Sequence, residues 1–212
     1  HDEGDAGDAQ EGLDQVDDAV SEHARFAGAG AGQTVLVVGS GISGLLHIQL
    51  ARAHGAARII ATDISEYRLN AAKRFGADGV INGAEDVPAR LRELNQGRLA
   101  DLVIVCTGAM PGIHQAIKSL DRGATLLFFA PTTAGVEVPI PLFDFWRDEI
   151  KIITSYAGSG ADLRESLSLI SERKVRVEEM VTHRLSLAQT ELGFKLTGSG
   201  QDSIKVIIDP LI

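Results

Sequence analysis

The sequence predicts an α/β protein, a doubly wound parallel sheet with helices on both faces and a small C-terminal appendix. Three observations lead to this prediction. The run Thr34–Val38 is short, apolar and β-branched, which is typical of a parallel strand buried on both faces. A glycine-rich hexapeptide, residues 39–44, follows directly and opens a segment with helical spacing of its apolar residues. Beyond it, strand-like and helix-like segments alternate through short connections, which favours parallel strands joined by crossover helices.

The first half of the pattern contains three strands and two helices. The helix after the glycine-rich hexapeptide ends at Gly55. The second helix has Ser65 as its predicted N-cap and Gly76 as its C-terminal stop. The strands predicted here are Thr34–Val38, Arg58–Thr62 and Gly79–Ile81.

The second half continues the alternation to residue 179. A helix is expected from about Asp86, with Pro88 tolerated in its first turn. A further helix is expected over Gly112–Leu120, ended by Arg122-Gly123, and the last begins near Asp162. The strands predicted here are Leu102–Cys106, Ala124–Ala130 and Ile150–Ser155.

We divide the chain into three regions. Residues 1–30 form an acidic, weakly ordered N-terminal segment, residues 31–179 the doubly wound domain, and residues 180–212 the appendix. The elements predicted for the appendix are a strand at Met180–Arg184, a helix near Leu187–Leu196 and a strand at Ser203–Ile208.

The net charge of −9 is located at the N-terminus. Residues 1–22 carry nine acidic side chains and no basic one, whereas residues 23–212 carry 20 of each sign. The folded body is therefore neutral and offers no basic surface for nucleic acid or anionic lipid. The acidic stretch is interpreted as a solvated segment, with an interaction tail or a metal-binding patch as the alternatives.

Cysteine usage and hydropathy bear on the compartment. Cys106 is the only cysteine, so no internal disulfide can form, which favours a reducing, cytoplasmic setting. No apolar run approaches the roughly 18 residues of a membrane span. We interpret Cys106 as a small apolar residue rather than a nucleophile, since no basic or histidine neighbour is evident to lower its pKa.

The glycine-rich hexapeptide predicts a dinucleotide-binding loop of the Rossmann type. Gly39 permits a tight turn out of the strand, and Gly41 lets the backbone approach a pyrophosphate. Gly44 allows the helix to pack closely on the strand, and the helix N-terminus offers amide donors and a favourable dipole. The alternative is a glycine turn required for packing, without a ligand.

Asp63 lies at the end of the second strand, 19 residues after Gly44. A carboxylate at this place can accept hydrogen bonds from both hydroxyls of an adenosine ribose and would repel a 2′-phosphate, so it favours NAD over NADP. Alternatively, Asp63 caps the helix that begins near Ser65. Arg68, one turn into that helix, either covers the adenosine side or is an ordinary exposed arginine.

The sequence offers no catalytic group and no metal site. Six histidines are scattered without ligand spacing, and the single cysteine cannot contribute to a Cys-rich cluster. No Tyr-x-x-x-Lys pair is present, which argues against short-chain dehydrogenase chemistry. His47 and His54 lie on one helix and are interpreted as surface residues or as residues satisfied by neighbours.

The ordered motifs resemble those of the zinc-type medium-chain alcohol dehydrogenases, particularly the polyol and threonine dehydrogenase branch. The resemblance covers roughly Asp18 to Pro210. The motifs that carry it are Gly32–Gly41, Asp63 with Arg68, Arg74–Asp78, Asp101–Gly108 and Ile204–Asp209.

The resemblance implies roles for individual residues. Ser43 would touch the pyrophosphate, Asp63 and Arg68 the adenosine ribose, and Thr107 would border the adenine side. Ala130 and Thr154 would contact the nicotinamide through backbone groups. Lys205 matches a basic residue near the pyrophosphate, although its alternation with apolar neighbours also fits a solvent-facing strand lysine.

The departure from the family is large. Family members carry the catalytic zinc and its ligands in an N-terminal domain of about 150 residues, whereas here the acidic stretch stands in its place. We therefore expect zinc only in a full-length relative. The chain is interpreted as the NAD-binding part of an alcohol or polyol dehydrogenase, inactive alone and ending in a segment that normally packs on the catalytic domain. The alternatives are a non-catalytic NAD sensor or assembly module, and a folded remnant that binds nothing.

The resemblance also implies a homodimer. In relatives, sheet edges near Val136–Phe145 pair across a dimer axis, and alternating apolar residues here fit an edge strand.

Overall fold

The structure, a computed structural model, describes residues 32–200 and 202–212. Its main body is a six-stranded sheet in the order β3-β2-β1-β4-β5-β6, with every neighbouring pair parallel. This order confirms the predicted doubly wound sheet, since it reverses between β1 and β4. The strands are β1 (Thr34–Val38), β2 (Arg58–Asp63), β3 (Gly79–Asn82), β4 (Ala100–Val105), β5 (Leu120–Phe128) and β6 (Lys151–Thr154).

Helices cover both faces, as predicted. Helices α1 (Ile42–Ala53) and α2 (Glu66–Arg74) contribute to one hydrophobic core, and α3 (Val87–Leu94), α4 (Met110–Ile117) and α5 (Leu142–Arg147) contribute to a second. Alternate residues of β1 enter the two cores, Val35 and Val37 the first and Leu36 and Val38 the second. Helix α6 (Gly160–Ser171) follows β6.

The predicted Ser65 cap is confirmed, and Asp86, near which a helix is expected to begin, caps that helix. The Ser65 hydroxyl accepts the Arg68 amide at 3.4 Å at the start of α2. Asp86 accepts the Ala89 amide at 3.1 Å at the start of α3, where Pro88 occupies the first turn. Each cap satisfies a helical amide that would otherwise lack a partner, which stabilises the helix by about 1 kcal/mol.

Two boundaries around residue 120 differ from the prediction. Helix α4 ends at Ile117 rather than Leu120, and β5 runs over Leu120–Phe128 rather than Ala124–Ala130. The prediction that Gly123 ends a helix is wrong, because Gly123 lies inside β5 with φ +71°. The β4–β5 register shifts between Ala100 and Leu102, so the glycine serves a strand irregularity, the other common use of positive φ.

The predicted edge strand near Val136–Phe145 is wrong in this structure. Residues 136–141 have no regular secondary structure, and Leu142 begins α5. Pro139 and Pro141 explain the difference, because neither has an amide hydrogen to donate to a strand partner and Pro141 is the N-cap of the helix.

The C-terminal appendix forms a separate parallel pair, β7 (Val181–Leu185) with β8 (Lys205–Ile208), connected through α7 (Thr190–Ser199). Its beginning is attached to the main body. Met180 is 1% exposed and belongs to the first core, and the Arg176 amide donates to Oε1 of Gln49 on α1 at 2.8 Å. The appendix is therefore fixed at this end by apolar burial and a hydrogen bond.

Two further expectations concern the ends and the environment of the chain. The acidic segment, residues 1–30, lies outside the described residues, and the three region boundaries stay predictions. Among the helices of the described ranges, none has the length and apolar character needed to cross a membrane.

Candidate functional site

The glycine-rich loop joins β1 to α1 at the carboxyl edge of the sheet. Gly39 has φ +94° and donates its amide to the Thr62 carbonyl at 2.9 Å, which ties the loop to the end of β2. A Cβ on Gly44 would overlap the carbonyl oxygen of Gly39. These two glycines are thus required by the turn and by the close packing of helix on strand.

Gly41 differs from its two neighbours. Its φ of −70° is open to any residue, and a Cβ placed on it would meet only Nη1 of Arg68, at 3.9 Å. The fold therefore leaves a free approach to the backbone at this position. The close approach of a pyrophosphate to the backbone requires such a space, so Gly41 fits a dinucleotide-binding loop.

The N-terminus of α1 has no side-chain cap and no nearby negative charge from its own first turn. Its N-cap is Gly41. Ser43, in that turn, is half-buried and lines a cavity. The first-turn amides and the helix dipole favour a phosphate here.

Asp63 is held rigidly at the end of β2. It is 7% exposed, its Oδ2 accepts the Ser40 amide at 2.8 Å, and its Oδ1 accepts the Ser65 amide at 2.9 Å. The side chain that caps α2 is that of Ser65, not that of Asp63. Each carboxylate oxygen can accept a second hydrogen bond, so the pair retains capacity for two hydroxyl donors.

Arg68 lies between Asp63 and the glycine-rich loop. Its Nη1 is 3.9 Å from Oδ2 of Asp63, and the same atom is the nearest neighbour of the open Gly41 position. Its Nε is buried and has no hydrogen-bond partner within the described structure. An orphaned donor beside an open phosphate approach fits a site that receives an acceptor from a ligand.

The remaining predicted residues lie at strand ends. Thr107 follows β4, and its Cβ would be 3.3 Å from a Cβ on Gly39, so it belongs to the same cluster. Ala130 donates its amide to the Val105 carbonyl at 3.0 Å, beside the end of β4, and Thr154 is the exposed last residue of β6. Lys205 is the exposed first residue of β8 in the second sheet, and its place near a pyrophosphate stays a prediction.

The cluster of His47, Cys106 and Phe129 was not predicted from the sequence. The expectation that Cys106 has no histidine neighbour is wrong. A histidine does neighbour Cys106: Nδ1 of His47 lies 3.6 Å from its Sγ and donates to the Ser43 carbonyl at 2.8 Å. The Phe129 ring meets the imidazole edge-on at 4.4 Å between centroids. No sequence signal points to this cluster, because His47 and Cys106 are 59 positions apart and Ser43 contributes only its backbone carbonyl.

Burial keeps both members of this pair uncharged. Removal from water raises the pKa of the Cys106 thiol to about 12. It also lowers the pKa of His47, an effect that the hydrogen bond to the Ser43 carbonyl partly opposes. The pair is therefore a thiol beside a neutral imidazole rather than an activated thiolate, which agrees with a non-nucleophilic Cys106.

His47 and Phe129 also line a cavity of about 420 Å³ between α1 and α6. His54, the residue that follows α1, also lines it, with Nε2 3.5 Å from Glu165. Within residues 32–200 and 202–212, no three His, Cys, Asp or Glu side chains come together in a way that could hold a metal ion.

Comparison with known proteins places this chain in a family. The model of the zinc-binding dehydrogenases matches residues 43–172. A sorbitol dehydrogenase of Halalkalibacterium halodurans is 33% identical over 85% of this chain and 52% of its own length. A D-xylulose reductase A of Aspergillus niger is 31% identical over 94% of this chain and 56% of its own.

A solved structure has a similar fold. The alcohol dehydrogenase of Thermus sp. ATN1 superposes with a TM-score of 0.80 at 25% identity, over 89% of this chain and 54% of that one. The chain thus spans about half the length of the relatives it matches. Since the family model covers more than half of it, the chain belongs to the zinc-binding dehydrogenase family.

Proposed function

We propose that this chain is the NAD-binding part of a dehydrogenase that acts on a small alcohol or polyol. The observation that carries the proposal is the pairing of an uncapped helix N-terminus with Asp63, which the amides of Ser40 and Ser65 fix at the adjacent strand end. A dinucleotide needs an anion site and a ribose acceptor at this separation. The relatives named sorbitol dehydrogenase and D-xylulose reductase support a polyol as the substrate of the longer protein.

Each residue of the adenosine half has a distinct task in this proposal. The amides at the start of α1, including that of Ser43, bind the pyrophosphate, with Gly41 leaving room for it. Asp63 accepts the two ribose hydroxyls, and its negative charge opposes a 2′-phosphate. Arg68 covers the ribose from the α2 side, and Thr107 borders the adenine.

The nicotinamide half rests on backbone groups. Ala130, just beyond β5, orients the ring by its carbonyl, since its amide already donates to Val105, and Thr154, at the end of β6, does so by its backbone groups. When bound, NAD supplies the ring carbon that accepts a hydride from the alcohol carbon. Because the described residues form no metal site, we assign no step to zinc, and we expect this chain alone to bind NAD without oxidising alcohols.

The cellular setting belongs to the proposal as well. The single cysteine supports a cytoplasmic location. A homodimer is supported by the edge position of β6 and by exposed apolar residues on the neighbouring α5: Leu142, Phe143 and Trp146.

The test is a Gly41→Ala substitution. The backbone at Gly41 accepts alanine and a Cβ there meets only Arg68, so the melting temperature should stay unchanged. The methyl group would occupy the pyrophosphate approach, and we expect calorimetric titration to show NAD binding weakened at least about tenfold, or about 1.4 kcal/mol. The control is Gly198→Ala in α7, where a Cβ meets nothing within 4 Å.

Two results would contradict the proposal. One is a Gly41→Ala protein that binds NAD as tightly as the unaltered chain. The other is tighter binding of NADP than of NAD by the unaltered chain. Zinc-dependent alcohol oxidation by the purified chain would refute the expectation that it is inactive alone.

A further inference from the structure

The appendix reaches the main body at a second place, next to Arg68. Gly200, which follows α7, lies so close to this arginine that a Cβ on it would overlap Nη2 and would be 3.2 Å from Cζ. Nη1 of the same guanidinium is 3.9 Å from a Cβ placed on Gly41 and from Oδ2 of Asp63. The guanidinium therefore lies among the glycine-rich loop, the end of β2 and the end of α7.

The conformation of Gly200 accounts for this close approach. It has φ +59° and its amide donates to the Leu196 carbonyl at 3.1 Å, so it ends α7 in the left-handed conformation. Asparagine also ends helices in this way, so the cap alone does not demand glycine. Glycine is favoured here because Arg68 occupies the space that a side chain at position 200 would need.

We infer that Gly200 is a positioning residue of the cofactor site: it holds the Arg68 guanidinium beside Asp63, over the adenosine ribose. This inference rests on the proposed function. A free arginine side chain loses rotamer entropy when it is fixed. The close approach of Gly200 and the loop restricts the Arg68 side chain before NAD binds. Less rotamer entropy is then lost on binding, and the guanidinium is already in place for the ribose.

The consequence is a link between the appendix and cofactor binding. Any side chain at position 200 would displace the guanidinium, because the three atoms nearest to a Cβ there all belong to Arg68. Its effect on NAD should therefore pass entirely through Arg68, and a double-mutant cycle measures such a dependence.

The experiment compares Gly200→Ala, Arg68→Ala and the double variant in the full chain, by calorimetric titration with NAD. Each single substitution should raise the dissociation constant about tenfold, and the double variant should equal Arg68→Ala within about twofold. The matched control is Gly97→Ala. Gly97 has φ +82° and nothing within 4 Å of a Cβ, so it reports backbone strain without a displaced arginine.

Gly200→Ala affinity equal to that of the unaltered chain would overturn the inference, as would an equal weakening with and without Arg68. Should Gly200→Ala fail to fold, Gly200→Asn replaces it with Gly97→Asn as its control, because asparagine tolerates the left-handed conformation. If the unaltered chain does not bind NAD, the proposed function fails and the inference with it. If it binds NAD but shows no coupling between Gly200 and Arg68, only the inference fails.

Discussion

Replacing Asp63 by asparagine should change the choice of cofactor. Asparagine keeps one acceptor oxygen and loses the negative charge, so NAD would lose about one charge-assisted hydrogen bond from its ribose. Such bonds contribute roughly 1.5–3 kcal/mol, which corresponds to about a 10- to 100-fold rise of the dissociation constant for NAD. NADP would lose the repulsion of its 2′-phosphate, so its affinity should stay the same or improve.

The same substitution should also reduce stability, because the carboxylate supports the fold. Its two oxygens accept the Ser40 and Ser65 amides, and the NH₂ group of asparagine would face one of these donors. A buried donor left without an acceptor costs about 1–3 kcal/mol. Denaturant unfolding should register this loss in the free energy of unfolding, apart from any effect on the cofactor.

Asp78→Asn is the matched control. Asp78 accepts the Ile59 amide at 2.7 Å and pairs with Arg52 at 2.7 Å, so it combines the same types of contact as Asp63. Ile59 lies near the start of β2, at the opposite edge of the sheet from Asp63, about 13 Å along the strand. We expect Asp78→Asn to lose stability while its NAD affinity stays unchanged. An Asp63→Asn protein that keeps the NAD preference of the unaltered chain would refute the ribose assignment.

Two further predictions concern the Cys106 and His47 pair. Iodoacetamide reacts with the thiolate, and burial raises the pKa of Cys106 from 9.0 to about 12. At pH 8 the native thiol should therefore be modified about a thousandfold more slowly than the thiol of the unfolded chain. Similar rates for the two would contradict this prediction. The lowered pKa of His47 means that the unfolded chain takes up a proton first, so the free energy of unfolding should fall as the pH drops below about 6.5. His47→Leu should reduce that loss in urea unfolding between pH 7 and 5, whereas a His54→Gln control should keep it.

The fold could be predicted because its signals are local. The alternation of apolar strands with capped helices is readable wherever a strand is buried on both faces, and β1 is such a strand. Ser65 and Asp86 mark the starts of their helices, because each side chain accepts a hydrogen bond from the amide only three residues later. The wrong strand at residues 136–142 has a local cause too, since Pro139 and Pro141 interrupt the apolar alternation and have no amide hydrogen for a strand partner.

The contacts around the site could not be predicted because they join distant parts of the chain. His47 and Cys106 are separated by 59 positions, and nothing in either neighbourhood announces the other. The contact of Arg68 with Gly200 spans more than half of the chain. Gly123 shows a third limit, because the same glycine can stop a helix or relieve a strand, and only the partner strand decides between them.

The three glycines of the loop provide different kinds of evidence for a ligand. Gly39 and Gly44 are demanded by the polypeptide itself, one by its positive φ and the other by the carbonyl that a Cβ would strike. A turn that bound nothing would need them equally. Gly41 has an ordinary φ and open space around its missing side chain, so the fold gives no reason for a glycine there. The close approach of a phosphate explains the glycine at this position. A turn made only for packing explains Gly39 and Gly44 but not Gly41. Gly41→Ala is therefore the substitution in which loss of NAD binding and loss of stability separate most cleanly.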